Sequence, residues 1–513
     1  MKVFVCLVAV CLFAFPLFGQ NLEIHYIDVG WGGSVLIKGP NGTTVLLEAG
    51  DTGEGTAHVV PYLKSIGIQP ANGLDYMIGG HQHCDHIGGL DEVISAGYNI
   101  HQKNYYNGST TTSTCVTGWN TAAATTTAGA PIAMPVGTVI NLGNGATLTC
   151  IARNGSIIGG GSVAVSDEND RSIGLLLKYG GFDYLWASDM GGGSDACTGR
   201  STTQTNVETT MIQAISPGGA YPLINAGGID VLHVNHHGSE SSTNPTYFNA
   251  AAPSLAVIGV GAGQAANFHL PRIDVVDNVL LGSACVTAPH PLVLQSEEGS
   301  PTGVNTSLSG YCVGDIKITT DGLKNYTVDA NGAVHQGANE KVASGLPKTI
   351  TLDDAVDLSG WKIVQANASW TYTIPAGTII PSKGYVIVGR DATKAQFESF
   401  WGVTLGANVT YLNSAGNFPQ INGSETYELR NASNATIDGP SVAMDASGGK
   451  SLQRANCGAA GLAATWTKVA STSGSPGTGG LTTCGKGAFV NEFSDALGTS
   501  NFVYEFVELF NDK

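Results

Sequence analysis

The segment His81-Gln82-His83-Cys84-Asp85-His86 constrains this chain more than any other part of its sequence. It places three imidazoles and a carboxylate directly after the predicted buried strand 74–78 and the glycine pair 79–80. Histidine is otherwise sparse, with 12 in 513 residues. These polar side chains cannot form a hydrophobic core and are costly to bury without a cation. The segment therefore predicts a metal site on a turn at the end of a strand.

Residues 1–20 predict an exported protein. Lys2 gives a short positive region, residues 3–18 are almost wholly apolar, and Gly19-Gln20 offers a small residue for cleavage. This is the pattern of a secretory signal peptide, and Pro16 interrupts an apolar run that is short for a membrane span. We therefore expect a secreted, extracellular or periplasmic protein with no transmembrane segment.

Composition narrows the fold class and the partners. Only 12% of the residues are charged, glycine reaches 70, and short alternating apolar runs are frequent, which favours β-rich domains with long loops. The length is that of two or three domains. The net charge of −17 argues against a broad basic groove for nucleic acid, so phosphate contacts have to come from a metal and a few local cations.

Ten cysteines are present, and Cys6 and Cys11 fall within the predicted signal peptide. Because an oxidising compartment favours disulfides, we expect the others to pair, although their connectivity stays open. The natural sequential pairs are Cys115/Cys150, Cys285/Cys312 and Cys457/Cys484. Cys84 lies inside the histidine segment, and we interpret it as a residue that fills space there rather than as a metal ligand.

Two structured regions are predicted on either side of a segment without apolar periodicity. The first covers 21–331, a linker covers 332–348, and the second covers 349–513. Short β-segments with frequent turn signals make the second region typical of a β-sandwich. Its last part, from 487, contains one more predicted strand pair.

Two further segments supply what a pair of metal ions would need. Asp189 follows the predicted strand 184–188 and precedes a glycine run, so its carboxylate is well placed to bridge two cations about 3.5–4 Å apart. His236-His237 close another predicted strand and supply the remaining imidazole. In isolation, Asp189 would be interpreted as a loop cap and the histidine pair would be ambiguous.

With these residues, the chain over 22–330 resembles the metallo-β-lactamase-fold hydrolases, and most of all the extracellular hydrolase domain of ComEC-type competence proteins. The same residues also resemble the secreted phosphorylcholine esterases. The matching stretches are Ile27-Asp28-Val29-Gly30, Leu46-Leu47-Glu48-Ala49-Gly50, the histidine segment, Ala187-Ser188-Asp189, Asn235-His236-His237-Gly238-Ser239 and Gly314-Asp315-Ile316-Lys317-Ile318. The resemblance implies an α/β fold, the αββα metallo-β-lactamase sandwich.

The resemblance also implies a ligand set for two divalent metal ions, zinc or alternatively manganese. His81 and His83 would hold the first ion, Asp85 and His86 would hold the second, and Asp189 would bridge them.

Of the tandem histidines, His237 would be the remaining ligand, and His236 would be a catalytic proton donor or oxyanion stabiliser. Asp85 would have a catalytic role as well, orienting a hydroxide held by both metals for attack on phosphorus or a carbonyl carbon.

The chain departs from the family pattern at three places. The usual third histidine on the first metal has no obvious counterpart before Asp189, so that metal keeps an open position or Asp170 reaches it. Trp31 follows the first strand where polar residues are usual, and Glu48 replaces an aspartate.

Two more residues are candidates for substrate binding. Arg171 could clamp a phosphate, with a structural salt bridge as the alternative. His269 lies in a segment, Asn267-Phe268-His269, that resembles one in which a histidine approaches the family's site; a loop histidine is the alternative.

The second region resembles a lamin-tail domain, an all-β immunoglobulin-like sandwich, at residues 356–361, 372–378 and 384–388. The strand pair that normally opens such domains stands here at the end, at 490–493 and 507–511. Either the domain is circularly permuted or a second copy is truncated. We favour permutation, because an unpaired apolar strand pair is prone to aggregate. We expect this region to bind a surface or another protein, or to act as a spacer.

The leading hypothesis is a secreted metal-dependent hydrolase that cleaves a phosphodiester, with extracellular nucleic acid as the first substrate. A phosphorylcholine-type esterase on cell-wall polymers is the second hypothesis, because the acidic charge disfavours a high-affinity nuclease. A lactam or lactone hydrolase is the third hypothesis, and a non-catalytic surface-binding protein is the fourth.

Overall fold

The structure is a computed structural model. It describes residues 21–512 except 226, 262, 266, 301–304, 331–347, 352–354, 369, 407, 417, 482–486 and 498–500. The predicted signal peptide and all but the last residue of the predicted linker lie outside the described residues. Among the helices of the described ranges, none is long and apolar enough to cross a membrane.

The first part of the chain forms strands that build two large sheets. They are β1 Leu22–Tyr26, β2 Val35–Lys38, β3 Thr44–Leu47, β4 Leu74–Ile78, β5 Ile100–Tyr106, β6 Ile132–Ala133, β7 Val139–Gly143, β8 Ala146–Arg153, β9 Ser156–Ile157, β10 Gly174–Tyr179, β11 Phe182–Trp186, β12 Val231–His233, β13 Leu255–Ile258, β14 Leu292–Gln295, β15 Tyr311–Cys312, β16 Ile316–Thr320, β17 Asn325–Ala330 and β18 Lys348–Thr351.

Helices cover the outer faces of these sheets. They are α1 Val60–Ser65, α2 Cys84–Ile87, α3 Leu90–Ser95, α4 Thr114–Ala123, α5 Glu208–Ile215, α6 Pro245–Ala251 and α7 Ile273–Val275. Segments Gly55–Val59 and Val276–Leu280 are π-helical, and the 3₁₀ turns are Pro70–Asn72, Ile158–Gly160, Asn169–Arg171 and Asn235–Gly238.

The strand order of the first sheet is β18-β17-β16-β1-β2-β3-β4-β5-β6, and that of the second is β15-β14-β13-β12-β11-β10-β8-β7, with β9 beside β8. One apolar core lies between the sheets, a second packs the first sheet against α1, α3 and α4, and a third packs the second sheet against α5 and α6. The layers therefore run helix, sheet, sheet, helix, as expected for the αββα architecture. Because both faces of β10 and β11 are covered, these strands are almost continuously apolar.

Strand direction determines where the polar segments meet. β3 and β4 are parallel neighbours in the first sheet, and β11 and β12 are parallel neighbours in the second. Glu48 follows β3, the histidine segment follows β4, Asp189 follows β11 and His236 follows β12. Because parallel strands end at the same edge of a sheet, all four segments lie at the carboxyl edge of the sandwich, where ligands bind in open α/β sheets.

The disulfides differ from the predicted pairs. Cys84 is bonded to Cys115, and Cys197 is bonded to Cys285, so the predicted pairs Cys115/Cys150 and Cys285/Cys312 are wrong. The Cys150 side chain is buried, and burial raises the pKa of its thiol to about 12. The predicted pair Cys457/Cys484 involves residue 484, which lies outside the described residues, although Cys457 is disulfide-bonded.

The remaining chain forms three more sheets. Its elements are β19 Val356–Asp357, β20 Lys362–Gln365, β21 Trp370–Thr373, β22 Ile379–Ile380, β23 Tyr385–Gly389, α8 Lys394–Trp401, β24 Val409–Asn413, β25 Tyr427–Arg430, β26 Thr436–Asp438, β27 Lys450–Arg454, β28 Trp466–Ala470, β29 Ala488–Ser494 and β30 Phe506–Asn511, with 3₁₀ turns at Ala463–Thr465, Ser471–Ser473 and Asn501–Tyr504.

The smallest sheet pairs β19 with β22. The two larger sheets have the orders β21-β20-β25-β26 and β24-β23-β30-β29-β27-β28. Side chains such as Ile363 and Leu429 pack against Val388 and Leu509 between them. The strand pair after 487 therefore lies in the interior of a sheet. The permutation of this region and its lamin-tail and immunoglobulin-like resemblance stay predictions. Strand β18, from Lys348, instead pairs with β17 at the edge of the first sheet.

Candidate metal centre

The histidine segment leaves β4 through two glycines and enters α2 at Cys84. A Cβ at Gly80 would collide with Glu48 Oε1 and would lie 2.6 Å from Ser188 Oγ, so the backbone can approach these side chains only as glycine. The Cys84–Cys115 disulfide ties the start of α2 to α4. The prediction that Cys84 is not a ligand agrees with this bond, because a bonded sulfur has no thiolate to offer.

His81 and His83 face each other across a short gap. His81 Nε2 lies 3.0 Å from His83 Nδ1, and the other nitrogen of His81, Nδ1, lies 3.0 Å from Ser188 Oγ. His81 is fully buried, whereas His83 is partly exposed. Two ring nitrogens at this separation need a proton or a cation between them, so the pair fits the predicted first metal position.

A second set of donors lies beside the first. His86 Nε2 and His237 Nε2 are 3.1 Å apart, and each lies 3.7 Å from Asp85 Oδ2. Gly259 O accepts from His237 Nδ1 at 2.7 Å, which leaves His237 Nε2 free to bind a metal. All three ligand atoms lie within 4.8 Å of one another, as a shared ion requires.

Asp189 stands between the two sets. Its Oδ2 lies 3.1 Å from His86 Nε2 and 3.7 Å from both His81 Nε2 and His237 Nε2. Its Oδ1 is buried and has no hydrogen-bond partner among the described residues. A buried carboxylate oxygen without a donor is costly unless a cation satisfies it. The position and the unsatisfied oxygen both suit a carboxylate that bridges two cations.

The charges of these groups are strongly coupled. Burial alone would lower the pKa of His86, but Asp189, Glu48 and Asp85 raise it well above its usual value. Burial would likewise raise the pKa of Asp189, and the surrounding imidazoles, His86 first, hold it well below its usual range. The pocket therefore favours positive charge beside the carboxylates, which is what a divalent cation would supply.

His236 differs from His237 in its surroundings. Its Nε2 lies 3.6 Å from Asp189 Oδ2 and 3.4 Å from Asn169 Nδ2, and its Nδ1 lies 2.8 Å from Ser241 Oγ. Burial lowers the pKa of His236, so the ring is neutral near pH 7. The structure thus places His237 among the metal donors and His236 on the cavity wall beside them.

Backbone strain concentrates in this centre. Glu48, Ser188, His236 and His237 all have left-handed φ values, of 62°, 50°, 51° and 51°. For residues other than glycine, each such conformation costs roughly 1–3 kcal/mol and persists only where the surroundings enforce it. Such outliers are typical of functional sites, and these four carry or support the donor atoms.

The missing third histidine is not replaced by Asp170. The Asp170 carboxylate is fully buried and accepts from the backbone N–H of Thr205 at 2.8 Å, away from the histidines. The neighbouring Asn169 lines the cavity instead, beside His236. No contact between Asp170 and these histidines is found among the described residues, which argues against Asp170 as a ligand of the first metal; the open position on that metal stays a prediction.

Two supporting residues escaped sequence reasoning. Glu48 Oε2 lies 2.8 Å from His86 Nδ1, and Glu48 Oε1 accepts from Ser188 Oγ at 2.6 Å. Sequence reasoning assigned no role to either residue: Glu48 stood out only as a departure from the family pattern, and Ser188 only as part of the matching stretch Ala187-Ser188-Asp189. Both lie behind the imidazoles, opposite the metal-facing nitrogens.

A cavity of about 630 Å³ opens over the donor atoms. Asp85, Asp189 and His236 line it, and hydroxyl side chains of 201–203 form part of its rim. On one wall Trp31 stacks on Phe268 with ring centroids 5.9 Å apart, and Trp31 also lies 4.8 Å from the ring of His237.

The two predicted substrate residues lie elsewhere. Arg171 lines a neighbouring cavity and donates to Asn154 Oδ1 at 2.7 Å. Of the segment around His269, the cavity lining includes Asn267, Phe268 and Leu270 but not His269 among the described residues. Substrate binding by Arg171 at the metals and by His269 therefore stays a prediction without support from the geometry.

Comparisons with known proteins found matches only among solved structures. No protein-family model matches this chain, and no curated protein sequence matches it. Solved structures that resemble it include a β-lactamase from Chitinophaga pinensis, with 17% identity, 33% of this chain and 62% of that chain covered, and a TM-score of 0.23. A protein described as a metal-dependent hydrolase from Parabacteroides distasonis shares 12% identity over 53% of this chain and 92% of that chain, with a TM-score of 0.27.

CmlA, a diiron β-hydroxylase from Streptomyces venezuelae, has 13% identity, 46% of this chain and 44% of that chain covered, and a TM-score of 0.27. The match thus spans less than two thirds of the β-lactamase and of the hydroxylase. The resemblance to ComEC-type proteins stays a prediction.

Proposed function

We propose that this chain is an exported metal-dependent phosphodiesterase with a dinuclear centre. The observation that carries the proposal is the position of Asp189, whose Oδ2 lies between His81 on one side and His86 and His237 on the other. A carboxylate between two sets of donors suits a pair of cations, and paired cations suit displacement at phosphorus. The residues that would hold the metals are His81, His83, Asp85, His86, Asp189 and His237.

Side chains of the protein would supply the other catalytic roles. Two bound divalent cations would lower the pKa of a water and polarise the phosphoryl group. Asp85, partly exposed in the cavity, would orient that water and accept its proton. The neutral ring of His236, in a fixed orientation beside Ser241, would donate a hydrogen bond to an oxygen of the phosphoryl group.

The charge of the cavity wall limits which substrates can bind. Asp51, Asp167 and Glu240 line it together with the metal-binding carboxylates, and no Lys or Arg is found among the described residues of its lining. Glu240 is paired with Arg272 at 3.4 Å, outside this lining. A cavity of this charge repels a polyanion beyond the one phosphate that the metals neutralise. It therefore weakens the case for extracellular nucleic acid, the first substrate suggested by the resemblance.

The same wall favours a second candidate, a phosphorylcholine-type ester on a cell-wall polymer. The stacked rings of Trp31 and Phe268 lie in an acidic cavity, and aromatic faces attract quaternary ammonium groups. Hydrolysis of a lactam or lactone and a purely binding role remain third and fourth.

Metal analysis and a substrate panel test the proposal. We expect close to two zinc ions per chain, and hydrolysis of bis(p-nitrophenyl) phosphate and of p-nitrophenylphosphorylcholine, but not of nitrocefin, with zinc or manganese. The variant Asp189→Asn should lose both metal and activity, whereas Asp91→Asn, at a partly buried residue of α3, should keep both. Turnover of nitrocefin alone would contradict the phosphodiesterase, and an absence of bound metal would favour the binding protein.

The proposal also includes export of the protein and a binding role for the region from 349. The Cys84–Cys115 and Cys197–Cys285 disulfides suit an oxidising compartment. The region from 349 would then hold the enzyme at a surface or at another protein, near its polymeric substrate.

A further inference from the structure

A second cavity, of about 440 Å³, adjoins the metal centre. His83 and Asp167 line both cavities, so the two are neighbours beside the predicted first metal. A substrate bound at the metals can therefore extend one of its groups into the second cavity. Nothing in the metal chemistry itself requires this space.

The lining of the second cavity is polar throughout. Hydroxyls of Ser109, Thr110, Thr111 and Ser166 share it with the amide of Asn154, and no apolar side chain is found among its described lining residues. Such a surface would not gain from burying an apolar group, because its hydroxyls and amides would lose water without a replacement. Its ligand has to offer hydrogen-bonding groups.

The charges in the second cavity limit the ligand further. Arg171 is its cation, and Asp167 and Glu168 are its carboxylates. Arg171 Nε lies 4.0 Å from Glu168 Oε2, while its Nη2 makes only long contacts of 3.4 Å to backbone carbonyls. Because the carboxylates outnumber the guanidinium, a second phosphate is disfavoured, whereas the remaining guanidinium N–H groups and Asp167 suit the donors and acceptors of a diol.

Glu168 gives the second cavity a fixed shape. Its carboxylate accepts from Asn107 Nδ2 at 2.8 Å, from Ser109 Oγ at 2.5 Å and from Thr111 Oγ1 at 2.7 Å. It also accepts at 2.9 Å from the backbone N–H of Gln82, which lies between His81 and His83. One carboxylate thus holds both the wall of the second cavity and the turn that carries the first metal ligands.

We infer that the second cavity is a subsite for a neutral polyhydroxylated alcohol group, a sugar or polyol esterified to the phosphate that the metal centre cleaves. The inference rests on the proposed function and adds the chemical class of one ester group. A vicinal diol would meet Arg171 and Asp167, with Thr110 and Ser166 as further partners.

Matched p-nitrophenyl phosphodiesters test the subsite with the zinc-loaded full chain. The glyceryl ester is compared with the methyl ester, and the uridine 5′-ester with the 2′-deoxyuridine 5′-ester, which lacks the vicinal diol. We expect kcat/KM to be about tenfold higher for the diol-bearing member of at least one pair, the gain that one or two hydrogen bonds give. A preference in the glyceryl pair identifies a polyol polymer, and one in the uridine pair identifies ribose.

Two variants test whether the preference for the diol-bearing ester depends on this cavity. In Arg171→Gln/Thr110→Val the ratio within the preferred pair should fall to near one, and in the control Thr121→Val, on the exposed side of α4, it should be unchanged. Ratios near one in the wild type, or a preference that survives Arg171→Gln/Thr110→Val, would overturn the subsite.

A binding measurement separates this inference from the proposed function. If no phosphodiester is hydrolysed, the proposed function fails, and calorimetric titration with the glyceryl and methyl monoesters of methylphosphonate still tests the subsite. Tighter binding of the glyceryl ester that Arg171→Gln removes supports it, and equal affinities overturn it.

Discussion

Ser188 Oγ donates a hydrogen bond to Glu48 Oε1 over 2.6 Å, although 140 positions separate the two residues. Each follows the end of a strand in a different sheet, and each has a left-handed φ. Glu48 lies 2.8 Å from His86 Nδ1, and Ser188 lies 3.0 Å from His81 Nδ1. One bond between the sheets therefore orients an imidazole on each side of the metal centre and turns both Nε2 atoms toward Asp189.

Removing the charge of Glu48 should weaken metal binding. Carboxylates behind metal-bound histidines fix the tautomer and raise the basicity of the ring, so we expect Glu48→Gln to reduce zinc affinity about ten- to hundredfold. Competition with a chromophoric chelator measures it. The control Glu398→Gln, on α8 beside Lys394, should bind zinc like the wild type; unchanged affinity in Glu48→Gln would remove Glu48 from this role.

The tandem histidines should separate metal binding from catalysis. Because His237 Nε2 lies 3.1 Å from His86 Nε2, His237→Gln should lose about one zinc ion per chain in metal analysis. His236→Gln should keep both ions and lower kcat on bis(p-nitrophenyl) phosphate about a hundredfold, the usual effect of losing a donor to the developing charge. The reverse pattern would exchange the two roles.

The Cys84–Cys115 bond should matter for the metal centre as well as for stability. It closes 31 positions and fixes the start of α2, which carries Asp85 and His86. We expect Cys84→Ala/Cys115→Ala to lower the free energy of unfolding by about 2–4 kcal/mol and to weaken zinc binding.

The control for this disulfide is Cys197→Ala/Cys285→Ala, which opens an 88-position loop. This loop contains His237, but neither of its cysteines is adjacent in sequence to a metal ligand. It should lose stability in urea titrations but keep its zinc affinity. Equal zinc affinities in both double variants would contradict a role for the Cys84–Cys115 bond at the centre.

A buried acid should make the second region less stable as pH rises. Burial raises the pKa of Glu505 from 4.5 to about 7, against the opposing effects of the Ile421 N–H and of Arg390. Between these two values the folded chain keeps a proton that the unfolded chain releases. The contribution of Glu505 to stability is therefore full below pH 4.5 and is lost as pH rises toward 7, by no more than about 3 kcal/mol.

The variant Glu505→Gln tests this sign. Its unfolding free energy, measured between pH 4.5 and 7.5, should fall less steeply than that of the wild type. The control Asp391→Asn, at an exposed residue of the same region, should follow the wild-type profile. Identical slopes in Glu505→Gln and the wild type would show that another group controls the pH dependence.

Local sequence was sufficient to place the candidate donor residues at the end of a strand. His81, His83, Asp85 and His86 stand within one turn after an apolar strand, and this order survives in the structure because β4 delivers them directly to the sheet edge. Asp189 could be predicted in the same way from its place after a strand. Alternating and continuous apolar runs likewise predicted β-rich layers, since strand burial follows local pattern.

The pairings across the molecule came only from the tertiary structure. The sequence alone determined which donor types exist and that they follow strand ends, because those features are set by neighbours along the chain. It did not reveal that Ser188 meets Glu48, that Cys84 meets Cys115 or that Asn169 rather than Asp170 faces the cavity. These contacts depend on which strands lie side by side and which sheet faces which, and that is decided by packing of the shared core rather than by local periodicity.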